Sequence, residues 1–270
     1  MATAIQTKLR YHYDKEDQVD VLDFTKPGTE EQFERYQTWV EEILTPIHDA
    51  RQKQYTLDKN GFQYVKDPVP GLDKATSEDE IRNILLPATE SLVKRLTGAY
   101  KVVTFTHRIR SLAEDSNKRA DNKAPAHSVH TDFTSAGALN HLKNVIKDPE
   151  ERAALESGRI LAINVWRPLK AIKRDPLAVM NWETVKTGDI IPTRMIFENS
   201  WSELGNVKYS PGHEWVYLEG QTPEEPVIFK QFDSKAENGM TLPHTAFVDP
   251  RWTDEEPRQS IEIKMFAFIN

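Results

Sequence analysis

From residue 101 onward, proline and glycine cut the chain into short β-rich runs, and this punctuation limits the possible folds more than any other feature. Strands are expected at Lys101–Ile109, His127–Phe133, Arg159–Arg167, Lys208–Pro211, Trp215–Leu218, Pro226–Gln231, Thr241–Phe247 and Ser260–Ile269. One helix, Ser135 to Ser157, interrupts them. So many short strands in roughly 170 residues close into a sandwich or barrel. Two helices are expected ahead of them. Between Thr29 and Ala50, Phe33, Tyr36, Val40, Ile43, Leu44 and Ile47 recur at three- and four-residue steps. Between Ser77 and Gly98, Ile81, Ile84, Leu85, Leu92 and Leu96 form a stripe behind an acidic first turn, with Pro87 inside it as an expected kink. The reading is a mostly β chain with flanking helices. It is one domain over 1–270, with a helical segment 1–100 packed outside a core of 101–270.

Composition then removes whole classes of function. There is no cysteine, so disulfides, zinc fingers, iron–sulfur clusters and thiolate catalysis are excluded. A metal would have to be held by His, Asp, Glu or backbone oxygen. Thirty-five basic residues against 42 acidic ones give a net charge of −7, and no basic patch invites nucleic acid. No apolar run approaches the roughly 18 residues of a membrane span, and Met1 to Asp20 lacks a signal-like apolar stretch. A soluble cytoplasmic protein acting on a small-molecule substrate is expected. A homodimer through an exposed N-terminal helix is left open.

The most informative stretch runs from His127 through Ser128, Val129, His130, Thr131, Asp132 and Phe133 to Thr134. Residues two apart on a strand point to the same face, so His130 and Asp132 converge on one point. Two imidazoles and a carboxylate with open positions suit a non-haem ferrous centre. Alone, His-x-Asp is ordinary, and a histidine paired with a nearby acid is its usual explanation. His244 lies in a later strand-like segment, ahead of Arg258-Gln259-Ser260. Arg258 and Ser260 share one face of the final strand, while Ile261, Ile263, Met265 and Ile269 take the other. A planar guanidinium beside a metal site suits a carboxylate ligand, although Arg258 paired with Glu262 is the plainer alternative. Asn164 and Trp166 share a strand face, so Asn164 is a candidate partner for a ligand carboxylate or a bound acid, and Arg167 beside them for an ion pair or a cofactor. Glu114 to Lys123, just before the His130 segment, reads as a charged loop.

These runs together resemble the iron(II)/2-oxoglutarate-dependent dioxygenases. More narrowly, they resemble the group that contains gibberellin-desaturase-like proteins, a cephem hydroxylase component and fungal meroterpenoid oxygenases. The resemblance is carried by Val129–Thr134, Ile163–Leu169, Asp175–Ala178, Phe229–Ser234, His244–Phe247 and Arg258–Glu262, over about residues 100–268. It implies a double-stranded β-helix core of the jelly-roll, cupin-like kind. It implies His130, Asp132 and His244 as iron ligands and catalytic centre, with Arg258 and Ser260 on the cosubstrate and Asn164 and Arg167 near it. It implies Fe(II), 2-oxoglutarate and O2, with release of succinate and CO2. The implied reaction is hydroxylation, desaturation or another oxygenation of a small natural product of fungal secondary metabolism. Asp132 argues against halogenation, which needs a small residue there to admit chloride. Two alternatives stand beside this reading. One is a zinc-dependent hydrolase or cupin-like enzyme using the same site without 2-oxoglutarate. The other is a non-catalytic barrel.

Overall fold

A computed structural model describes residues 4–13, 21–75, 77–111 and 126–270. The Glu114 to Lys123 loop lies outside the described residues. In chain order the elements are β1 (Ile5–His12), β2 (Val21–Asp23), α1 (Thr29–Gln37), β3 (Val40–Asp49), α2 (Leu57–Asn60), β4 (Phe62–Tyr64), α3 (Glu78–Thr97) and β5 (Lys101–Ser111). They continue with β6 (His130–Thr131), α4 (Ser135–Val145), α5 (Pro149–Glu156), β7 (Arg159–Pro168), β8 (Leu177–Met180), β9 (Ile190–Phe197) and β10 (Ser200–Val207). The last are β11 (Trp215–Tyr217), β12 (Val227–Asp233), β13 (His244–Ala246) and β14 (Gln259–Ile269). Nine strands form one sheet in the order β1-β3-β11-β8-β13-β6-β10-β9-β2, and five form the other in the order β4-β12-β7-β14-β5. The sheets face each other across Trp166, Val227 and Phe229 on one side and Leu177, Val179 and Val216 on the other. Shared alternation along each strand buries these residues on the inner faces.

α3 covers the outer face of the small sheet, where Leu85, Leu92 and Val93 pack on Ile163, Ile261, Ile263 and Met265. Its start is set by a capping box, Ser77 against Glu80, and its end by Gly98 in the left-handed region at φ 70°. Pro87 lies within the single helix Glu78–Thr97. α4 closes one end of the barrel, placing Ala138 and Leu142 on Phe232, Phe266 and Phe268.

Several expectations need correction. The stripe from Thr29 to Ala50 is a short helix, α1, followed by strand β3. Pro46 lacks the amide a helix interior needs, and Ile43, Thr45 and Ile47 at period two face inward while Leu44 is exposed. Residues 1–100 are therefore not a helical segment outside the core: β1, β2 and β3 join the large sheet and β4 the small one. The expected helix Ser135–Ser157 is two helices, because Asp148 caps a new one that begins at Pro149. Lys208–Pro211 is not a strand. The strands there are the hairpin β9–β10, paired from Ile190↔Val207 to Phe197↔Ser200.

β1 does more than extend an edge. An isolated parallel bridge joins Arg10 to Ser128, and the Val129 amide donates to the Arg10 carbonyl at 2.9 Å. The first strand thus returns to the segment that carries His130. Leu9, Tyr11, Val129, Trp215 and Phe247 fill the space so enclosed.

Away from the barrel mouth, a buried ion cluster ties β7 to β12. Lys230 Nζ lies 2.8 Å from Asp233 Oδ2, and Arg159 donates to both Asp233 oxygens at 2.9 and 2.6 Å. Burial opposes the charged form of Asp233, but hydrogen bonds from Arg159 and Lys230 outweigh it and push its pKa from 3.8 down to about 2. A depressed carboxyl stabilises the fold above its unfolded pKa and loses that contribution as the pH falls through the folded value. The loss belongs between about pH 4 and pH 2 and amounts to about 2 kcal/mol. Urea unfolding at stepped pH is expected to show that loss in the wild type and a flatter acid limb in Asp233→Asn. Equal acid limbs would remove the cluster from the account.

Candidate metal centre

The mouth between the sheets is built from five strands. β6 brings His130 and β13 brings His244, and the two residues face each other directly in the antiparallel pair β6–β13. Asp132 follows two residues after His130, where the chain leaves β6 for α4. α4 starts there because the Thr134 hydroxyl accepts from the Gly137 amide. A Cβ on Gly137 would meet the Glu203 carbonyl oxygen at 2.2 Å, so only glycine lets α4 sit this close to β10. The Asp132 amide donates to Gln231 Oε1 at 2.7 Å, and Gln231 is fully buried. Both ends of the turn that holds Asp132 are therefore fixed.

His130 Nε2 lies 4.0 Å from Asp132 Oδ1, and His244 Nε2 lies 3.9 Å from Asp132 Oδ2. The imidazole centroids are 4.4 Å apart. Donor atoms on one divalent first-row ion sit no farther apart than about 4.2 Å, twice a bond of about 2.1 Å. Among the described residues these three form a group able to hold a metal ion. The tautomers fit as well. His130 Nδ1 donates to the Ser128 carbonyl at 2.8 Å and His244 Nδ1 to the Leu242 carbonyl at 3.2 Å. A carbonyl only accepts, so Nδ1 carries the proton in both rings and the Nε2 lone pairs point into the site. Burial first, and then His130, pushes the His244 pKa down to about 3, so that ring is neutral at ordinary pH. At Asp132, burial favours the neutral acid, but Lys264, His244 and His130 overcome it and hold the carboxyl well below the usual range.

The inner face of β14 supplies the rest. Arg258 is buried, its guanidinium carbon lies 5.3 Å from the Trp166 ring centroid, and Nη1 donates to the Asp175 carbonyl. Asp175 adopts φ 50°, a left-handed conformation unusual for a residue with a Cβ. Ser260 is fully buried, and its Oγ has no hydrogen-bond partner among the described residues. An orphaned buried hydroxyl beside a buried guanidinium fits a carboxylate ligand. A cavity of about 30 Å³, lined by His130, Asp132, Trp166, His244, Arg258 and Glu262 among others, joins the guanidinium to the three donors. A wider surface cleft of about 660 Å³ beside α1 shares none of these residues.

The other sequence candidates divide. Asn164 reaches the site: Nδ2 donates to Asp132 Oδ2 at 2.5 Å and to Glu262 Oε1 at 3.1 Å. Arg167 does not. It lies an odd number of residues from Asn164 on β7 and so faces away, donating to the Asp67 and Pro223 carbonyls at 2.7 and 2.8 Å. Its expected role at the cofactor is replaced by a tie between two loops. His127 faces Asp175 at 3.6 Å and His213 pairs with Asp189 at 2.9 Å, both apart from the three donors. Sequence reasoning missed Glu262, Lys264 and Gln231. For the first two the signal was present, since the alternation that places Arg258 and Ser260 inward continues through residues 262 and 264. Gln231 sits at a register shift in the β12–β7 pairing, which simple alternation does not locate.

A jelly roll whose mouth gathers two imidazoles, one carboxylate and a buried guanidinium defines a non-haem metal oxidoreductase. Comparison with known proteins narrows this class. A family model described as "Oxidoreductase/YMDC permease-like domain" matches residues 9–268. The hydroxylase/desaturase efuI of Hormonema carpetanum is 32% identical over 250 residues, covering 82% of each chain. The Fe(II)/2-oxoglutarate-dependent dioxygenase nvfI of Aspergillus novofumigatus is 32% identical over 232 residues, again covering 82% of each. A solved structure of the iron and alpha-ketoglutarate-dependent endoperoxidase NvfI superposes with a TM-score of 0.81 at 27% identity, covering 100% of this chain and 99% of that one. The chain belongs to this oxidoreductase family, the Fe(II)/2-oxoglutarate-dependent dioxygenases.

Proposed function

We propose that His130, Asp132 and His244 bind Fe(II), that Arg258 and Ser260 anchor the distal carboxylate of 2-oxoglutarate, and that the enzyme oxidises a small natural product of fungal secondary metabolism with release of succinate and CO2. The observation that carries this is two proton-fixed imidazoles, a carboxylate and the Arg258 guanidinium lining one cavity, with the partnerless Ser260 hydroxyl two residues from Arg258. The relatives support the substrate class, since they are named as hydroxylase/desaturases, dioxygenases and an endoperoxidase.

When bound, iron and 2-oxoglutarate supply the oxidising chemistry. The protein's own groups do the rest. The Ser128 and Leu242 carbonyls hold both rings with Nε2 inward. Asn164 and Gln231 hold the Asp132 carboxylate and amide. Asp175 and Trp166 fix the Arg258 guanidinium, which orients the keto acid by its far end. Asp132 leaves no vacant side-chain position beside the metal, which favours oxygenation or desaturation over halogenation. No helix among the described residues is long and apolar enough to cross a membrane. We extend the proposal to a cytoplasmic location and to a homodimer, the latter supported by the exposed Val21 and Phe197 at the β2–β9 edge.

The test is turnover without a known substrate. Protein loaded with Fe(II) under argon and then given 2-oxoglutarate and air is expected to release succinate slowly. Candidate polyketide or terpenoid substrates are expected to speed that release. Absence of both 2-oxoglutarate binding and succinate would overturn the assignment.

A further inference from the structure

We propose that Lys264 is a positioning residue which, together with Asn164, occupies Oδ2 of Asp132 and so reserves Oδ1 for the metal. This rests on the function proposed above and deepens it. Two donors meet one oxygen: Lys264 Nζ lies 2.7 Å from Asp132 Oδ2, and Asn164 Nδ2 lies 2.5 Å from the same atom. Each oxygen lies about as far from one imidazole donor, Oδ1 4.0 Å from His130 Nε2 and Oδ2 3.9 Å from His244 Nε2, so the two hydrogen bonds decide which oxygen is left for the metal.

Lys264 reaches this position by strand geometry. Ser260, Glu262 and Lys264 succeed one another on the inner face of β14, in line with Arg258 just before it, and Lys264 stands opposite Asn164 in the β14–β7 register. A lysine with a choice sends its ammonium to water, because burying the charge is costly. Here the side chain is only 17% exposed, with Glu262 Oε2 at 3.8 Å on its other side. Two carboxylates, Asp132 and Glu262, therefore hold the ammonium inside the mouth. Neither Trp166 nor the core needs a charge at this place, so packing does not account for it.

The consequence concerns how many positions Asp132 takes. A carboxylate with one oxygen tied up binds a cation through the other. A carboxylate with both oxygens free takes two positions, and one of those is needed by a chelating keto acid. The clamp predicts opposite shifts for the two ligands. In Lys264→Met, Asp132 Oδ2 keeps Asn164 as its one donor and regains a lone pair for the metal, and the site loses a nearby positive charge. Affinity for Ni(II), read by calorimetry in air, is expected to stay level or to tighten up to about tenfold, while affinity of the Ni(II)-loaded protein for 2-oxoglutarate weakens about tenfold or more. The visible charge-transfer band of the anaerobic Fe(II)–2-oxoglutarate chelate is expected to fade in step. Lys264→Arg, which keeps the charge and the donor, is expected to bring both back toward wild type.

A general structural role would lower both affinities together. A parallel loss, or 2-oxoglutarate binding unchanged in Lys264→Met, overturns the clamp. Should Lys264→Met not fold, Lys264→Gln is shorter and uncharged and is read by the same two affinities. Wild-type protein that binds Ni(II) but not 2-oxoglutarate overturns the proposed function itself. A wild type that binds both, beside an unaffected variant, overturns the clamp alone.

Discussion

His244→Ala is expected to lose its metal and, with it, at least about a thousandfold of turnover, equivalent to about 4 kcal/mol of transition-state stabilisation. The reason is local. His244 lies on β13, between β8 and β6, and contributes from the strand next to the one that carries His130. Without it, an ion would rest on His130 and Asp132 alone. Alanine keeps the strand pairing, because the register is carried by the backbone of Thr245 and Ala246 against Ala178 and Leu177. The variant should therefore fold, with a melting temperature near wild type, and the defect should be confined to the site. Metal content after loading and desalting, read beside succinate formation, checks this. Stoichiometric iron retained in His244→Ala would exclude this histidine from the ligand set.

Arg258→Ala is expected to weaken 2-oxoglutarate binding about a hundredfold, close to 3 kcal/mol, with metal affinity near wild type. The guanidinium is buried and held by the Asp175 carbonyl and the Trp166 face, so it is presented without the entropy cost of a free arginine. Arg258→Lys should recover only part of the loss, since a point charge lacks the planar fork. Titration of 2-oxoglutarate into metal-loaded protein measures both variants. The outcome also separates the dioxygenase from a zinc hydrolase using the same three donors, which would keep its activity in Arg258→Ala. Unchanged keto-acid affinity would place the anchor elsewhere.

Much of the site was legible in the sequence because its residues sit on strands, where spacing of two maps directly onto a shared face. His130 with Asp132, and Arg258 with Ser260, are such pairs, although Asp132 lies just past β6 and Arg258 just before β14, and Asn164 was placed inward by the same rule. Arg167 failed by that rule too: three residues from Asn164, it could not share its face. Glu262 and Lys264 lie on the same inward alternation as Ser260, opposite Ile261, Ile263 and Met265. The N-terminal third was harder. In Val40–Asp49, apolar residues satisfy helical and strand spacing at once, and the choice is made by pairing with β1 and β11, partners distant in the chain. The hairpin β9–β10 was hidden by Pro192 and Gly205 inside its strands. Gly205 tolerates no Cβ, which would lie 2.4 Å from Ile190 Cγ2 and 2.5 Å from Thr131 Oγ1. Such close approach is visible only once the strands are together.

β14 is the middle member of the trio β7-β14-β5, and it follows both neighbours in the chain. Residues 101–111 and 159–168 therefore leave the ribosome before the 259–269 segment that pairs with both. That same segment carries Ser260 and the lysine beside Asp132. A premature stop within those codons would leave β5 without its β14 partner and should be as damaging as loss of a ligand.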